Sequence, residues 1–146
     1  MKGYLLCVAI SALFISLACQ DDTPKAVLQL DFEWSKPNEC SETSPEIRIS
    51  GLPETTYSLR VRLIDLYQPG ADHGGWEQIP VPAGGVISAG GLQQYRGPCP
   101  PKYYAQNNYE FTVEALDPNG VVMAEGELAK KCCPDWSSHA IERRIE

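Results

Sequence analysis

Apolar and polar residues alternate along several stretches of the chain. Leu28, Leu30, Phe32 and Trp34 share one parity, with Gln29, Asp31 and Glu33 between them. A period of two predicts a strand with one face toward a core. Residues 46–50 repeat the pattern and stop at Gly51-Leu52-Pro53. Residues 57–66 form the longest run, with Leu59, Val61 and Leu63 inward and Arg60 and Arg62 outward. Residues 109–116 follow the same rule, Asp117-Pro118-Asn119-Gly120 has the chemistry of a turn, and 121–124 is expected to pair back as a hairpin partner. Short strand pieces are expected over 76–80 and 86–87. Residues 125–131 read as a brief helix, and 135–145 as a second, with Asp135 at its N-cap and Trp136, Ala140, Ile141 and Ile145 on one face. The expected fold class is all-β, an antiparallel β-sandwich with a short C-terminal helix.

The N-terminal eighteen residues break this pattern. Lys2 precedes an almost wholly apolar stretch over 4–17, which has the form of a targeting segment. Ala18 stands directly before Cys19 and Gln20-Asp21-Asp22 follows, an order that resembles a bacterial lipobox, with Ser16 where leucine is usual. Cleavage before Cys19 and its acylation would anchor the protein by lipid chains, because two or more acyl chains hold a protein firmly to a membrane. The expected address is the cell envelope, at the outer membrane, the cell surface or the periplasm. The implied division is a signal peptide over 1–18, a flexible tether over 19–25, a sandwich domain over 26–131 and a C-terminal segment over 132–146.

Charge narrows the partners. The chain carries −7 at pH 7, and removing Lys2 with the signal takes this to −8. Nucleic acid is excluded as an expected partner, since its phosphates demand a basic surface. An oxidising address makes disulfides plausible, and Cys40, Cys99, Cys132 and Cys133 remain as candidates. Neighbouring cysteines sit closer than an unstrained bridge prefers, so bridges from Cys40 or Cys99 to the C-terminal pair are expected. Cys-Cys-Pro-Asp with His139 is a poor zinc set, so no metal is expected, and the residues call for no cofactor.

Candidate chemistry concentrates between residues 68 and 102, which are rich in glycine and proline. In Gly97-Pro98-Cys99-Pro100-Pro101 each proline fixes φ and removes a donor. The loop is therefore rigid, and the amides of Gly97, Cys99 and Lys102 remain to meet an anion.

Three segments together resemble the phosphatidylethanolamine-binding protein family, also called Raf kinase inhibitor-like proteins, in its bacterial form. Ser44-Pro45-Glu46-Ile47 with Gly51-Leu52-Pro53 is similar to the family's entry strand. Asp65-Leu66-Tyr67-Gln68-Pro69 resembles its Asp-Pro-Asp-Ala-Pro motif, and His73 stands six residues before Ile79-Pro80, as the family's pocket histidine does. Residues 95–101 are similar to its Gly-Pro-Cys-Pro-Pro loop, and Asn107-Asn108-Tyr109 follows its His-Arg-Tyr strand. The resemblance implies a small sandwich and a ligand pocket built from Asp65, His73, Gly97, Cys99, Pro100, Pro101 and Tyr109. A carboxylate beside an imidazole would fix its tautomer and favour the cation, Tyr109 would add a hydroxyl donor, and Arg96 and Lys102 would stand at the rim. Tyr67 replaces the family's second aspartate, Gly74 its aromatic residue after the histidine, and Asn107 its second histidine.

The expected function is that of a membrane-tethered, non-catalytic module that binds a small phosphate-bearing or anionic ligand such as a lipid head group. An alternative is a structural or adhesive immunoglobulin-like or fibronectin-like sandwich, since fold alone does not determine function. A hydrolase is disfavoured, because no Gly-x-Ser-x-Gly elbow is present and no nucleophile is paired with a base by motif.

Overall fold

In the computed structural model, which describes residues 25–100 and 107–133, the alternating runs become eight strands in two sheets. The strands are β1 (Ala26–Val27), β2 (Gln29–Phe32), β3 (Ile47–Ser50), β4 (Ser58–Asp65), β5 (Trp76–Pro80), β6 (Val86–Ile87), β7 (Asn107–Leu116) and β8 (Val122–Cys132). One sheet has the order β1-β8-β7-β4-β5, and the other β2-β3-β6. The expected sandwich is present.

A separate short strand, β1, precedes the first alternating run. β1 pairs parallel with β8, while β2 pairs antiparallel with β3 in the other sheet. The chain changes sheets at Leu28, which is buried and whose amide donates to the Glu125 carbonyl at 2.8 Å. Ala26 and Val27 are both exposed, so the alternation toward the core begins at Leu28, where the chain enters the second sheet. Phe32, Ile47 and Ile49 from the small sheet meet Leu59, Val61, Leu63, Phe111 and Val113 from the large one. Phe111 centres an aromatic cluster, edge-on to Phe32 at 5.0 Å and stacked with Trp34 at 5.8 Å and Tyr95 at 6.3 Å. Burying a side chain of this size contributes about 1.5–3 kcal/mol.

The helix expected over 125–131 is replaced by strand. Residues from Glu125 to Cys132 pair one for one with β7 from Glu114 back to Asn107. The individual helix preferences of Glu, Leu, Ala and Lys amount to tenths of a kcal/mol each, less than an unpaired edge on β7 would cost. Gly126 held the clue: a Cβ there would lie 2.5 Å from the Leu28 carbonyl oxygen, so the strand needs glycine where β1 leads into β2.

The disulfides differ from expectation as well. Cys40 bonds Cys99, with Cα atoms 4.5 Å apart, and Cys132 bonds its neighbour Cys133. The first pairing has a local cause. The Cys40 amide donates to the Pro98 carbonyl at 2.8 Å and the Gly97 amide to the Ser41 carbonyl at 2.8 Å, which lays the two loops side by side. The targeting segment, Cys19, Pro101, Lys102 and the C-terminal helix lie outside the described residues.

Candidate functional site

The C-terminal end of β4, the N-terminal end of β7 and the two loops joined by the Cys40–Cys99 bond enclose an open cleft of about 430 Å³. Asp65, His73, Gly97, Cys99, Pro100 and Tyr109 all line it. Six of the seven residues expected to form a pocket therefore converge, and Pro101 is outside the described residues.

Asp65 ends β4 directly opposite Tyr109 of β7. It is 4% exposed. Its Oδ1 accepts the amides of Tyr67 at 2.8 Å and Gln68 at 3.0 Å, and its Oδ2 accepts the Asn107 side-chain amide at 3.2 Å. Burial alone would raise this carboxyl, but the Gln68 and Tyr67 amides, with Asn107 and the Tyr109 hydroxyl, outweigh it and hold the group below the ordinary carboxylate value. Asp65 is thus a fixed negative charge. Tyr109 is 1% exposed, and burial, then the Asp65 charge and the bond to it, push its hydroxyl up to about 12. Tyr109 is thus held protonated beside the Asp65 carboxylate.

His73 is 9% exposed. Its ring sits edge-on to Tyr109, with centroids 5.4 Å apart. The expected imidazole–carboxylate contact is not what fixes the ring. Nδ1 lies 2.8 Å from the Arg96 carbonyl oxygen, which accepts only, so Nδ1 carries the proton. Nε2 is buried without a hydrogen-bond partner among the described residues. The Arg96 amide returns a bond to the His73 carbonyl at 3.3 Å.

One of the loop amides expected to meet an anion is already engaged. Gly97 donates to Ser41, and its missing side chain matters, since a Cβ would stand 2.1 Å from the Asn38 carbonyl oxygen. Arg96 reaches the rim but pairs with Asp72 at 2.5 Å. Glu42, Asp65 and Asp72 line the cleft against Arg96 as the one fixed cation among the described lining residues, so its walls are net acidic. Of the lining groups with nucleophilic atoms, Cys99 is in a disulfide and the Ser41 hydroxyl donates to the Pro37 carbonyl at 2.5 Å. Among the described residues there is no cluster of histidine, cysteine and acidic side chains able to hold a metal ion.

The phosphatidylethanolamine-binding protein family model matches residues 20–141. The chain belongs to the phosphatidylethanolamine-binding protein family. Its fold is similar to that of a family homologue from Chlamydia trachomatis, at TM-score 0.58 and 20% identity, over 76% of this chain and 100% of that one. It is also similar to E. coli YbcL, described as a new member of the mammalian family, at TM-score 0.52 and 19% identity, over 71% of this chain and 96% of that one. No curated protein matches significantly by sequence. Family membership displaces the immunoglobulin-like and fibronectin-like alternatives.

The three departures from the family motifs now have physical accounts. Gly74 adopts φ +97°, and a Cβ there would fall 1.6 Å from the Gln94 carbonyl oxygen, so no aromatic side chain fits. Asn107 replaces a base with an amide that donates to Asp65. Tyr67 is 67% exposed and offers the site only its backbone amide. Sequence reasoning missed Glu77, whose inward parity on β5 was the available signal. It also missed the loop over 38–43, where Asn38 Oδ1 accepts the Ser35 amide at 2.8 Å and the Asn38 carbonyl accepts the Tyr95 hydroxyl at 3.3 Å.

Proposed function

We propose that this family member is a membrane-tethered, non-catalytic binding module for a small phosphate-bearing ligand of the phosphoethanolamine type. The observation that carries the reading is the convergence of Asp65, His73, Tyr109 and the loop over 97–100 on one cleft. His73 lines the cleft, and its buried Nε2 has no hydrogen-bond partner among the described residues, which costs about 1–3 kcal/mol until something bonds it. Three carboxylates against one arginine disfavour a bare anion. A zwitterion suits both features, its phosphate toward Arg96 and the Nε2–H of His73 as the imidazolium, and its ammonium toward Asp65, Asp72 or Glu42. Absence of a nucleophile paired with a base among the described lining residues supports binding without chemistry. Tethering follows from the lipobox-like run ending at Cys19, which would hold the cleft near a membrane rich in such head groups.

Titration calorimetry at pH 7 with phosphoethanolamine, inorganic phosphate and ethanolamine tests the reading. Phosphoethanolamine should bind more tightly than either half, and His73→Ala should weaken it by roughly tenfold to a hundredfold, the loss of one charge-assisted bond. Equal heats for wild type and His73→Ala, or no binding of any of the three, would overturn it.

A further inference from the structure

We propose that Glu77 is a positioning residue for His73, acting through the segment over 93–96; this rests on the cleft being a binding site. Glu77 lies on β5 with its side chain turned inward and is 8% exposed. A buried carboxylate is costly unless its oxygens are bonded. Both are: Oε1 accepts the Gln93 amide at 2.8 Å and Oε2 the Gln94 amide at 2.7 Å. No described cation pairs with it. An apolar residue would have served β5 packing equally, so the carboxylate's distinctive effect is to fix two consecutive backbone units of a loop otherwise without regular structure.

That loop is what holds the histidine. Two residues beyond Gln94, the Arg96 backbone exchanges two bonds with His73, accepting from Nδ1 at 2.8 Å and donating to the carbonyl at 3.3 Å. The space between them has no slack. Gly74 lies beneath the Gln94 carbonyl where even a methyl group would collide, and His73, Glu77, Gln94 and Tyr95 share the lining of a void of only about 10 Å³. Tyr95 is anchored at its far end on the Asn38 carbonyl. Glu77 therefore fixes Gln93 and Gln94, these fix the Arg96 carbonyl, and the carbonyl keeps the imidazole proton on Nδ1. The same bond fixes the ring's direction in the imidazolium, whose Nε2–H is the donor a phosphate oxygen needs, while in the neutral ring Nε2 is an acceptor suited to the ligand's ammonium. With the carboxylate gone, the Arg96 carbonyl is free to shift and the ring loses its single tautomer.

Side-chain ¹⁵N spectra of His73 at pH 8 in the full chain test this directly, in wild type, in Glu77→Gln and in Glu114→Gln, which makes the same charge change on β7. Wild type should show the Nδ1–H tautomer. Glu77→Gln should show a mixture of tautomers and about tenfold weaker phosphoethanolamine binding, and Glu114→Gln neither change. A wild-type His73 tautomer retained in Glu77→Gln, whatever the melting temperature, would overturn the inference. If Glu77→Gln does not fold, Glu77→Asp, which keeps the charge but draws it back by one carbon, carries the same readout and the same contrary result. An Nε2–H tautomer in wild type overturns the inference without any variant. Failure of wild type to bind phosphoethanolamine removes the functional reading but leaves the tautomer result standing on its own.

Discussion

Between β4 and β7 the residues from Ser58 to Asp65 keep one register, whereas the cleft at the end of the same two strands is tied together bond by bond from loops. In the ladder each pair repeats the chemistry of its neighbours. One substitution there costs stability but leaves the shape. In the cleft each contact is unlike the next: a carbonyl on a ring nitrogen, a glycine with no room for a methyl, a carboxylate on two amides. One substitution there should cost less stability and more function.

The largest effect that would sharpen this contrast is Phe111→Ala, which empties the middle of the aromatic cluster. Large-to-small changes of this kind cost about 3–5 kcal/mol, seen as a fall of many degrees in thermal unfolding. Phosphoethanolamine affinity of the molecules still folded should stay near wild type. A specific loss of affinity without loss of stability would break the comparison.

Removing the loop clamp comes next. Cys40 and Cys99 are 59 residues apart in sequence, a closure worth up to about 4 kcal/mol in the chain-entropy picture. Cys40→Ser with Cys99→Ser should lower the unfolding midpoint in denaturant, and weaken binding more than Phe111→Ala does. Gly97→Ala should act similarly through the Asn38 carbonyl, at about 1–3 kcal/mol.

Asp65 supplies a pH test. Its carboxyl is held below its ordinary value, so the folded state binds fewer protons here than the unfolded state. The stability it contributes is fully present above the ordinary carboxylate value and is lost as pH falls below it, through the lowered folded value. Asp65→Asn should flatten that part of the acid limb in unfolding measured from pH 6 to pH 2. An unchanged acid limb would show that Asp65 is not held as described. The smallest effect is expected at Arg60 and Glu114, whose Nε–Oε2 bond of 2.6 Å lies on the outer sheet face. Glu114→Gln should change stability by less than about 1 kcal/mol and binding not at all.

Legibility in the sequence divides along the same line. Strand parity at Leu59, Val61, Leu63, Phe111 and Val113 was readable because burial on one face enforces a period of two. The gathering of Asp65, His73, Gly97, Cys99, Pro100 and Tyr109 was readable through family spacing. Roles within the cleft were not. The partner of His73 is a backbone carbonyl, which every residue has and no sequence distinguishes. The Gly97 amide is engaged by a loop 56 positions away in sequence, and Cys40 meets Cys99 because those loops are laid together. Residues 125–131 misled because their propensities are local while the β7 edge they complete is not.

The most direct test of a single cleft assembled from distant segments is the set of amide shifts perturbed when phosphoethanolamine is added to the ¹⁵N-labelled full chain. The account predicts saturable changes confined to residues 40–42, 65–73, 96–100 and 107–109, abolished by His73→Ala. Changes spread over the outer sheet face, or none at millimolar ligand, would contradict it.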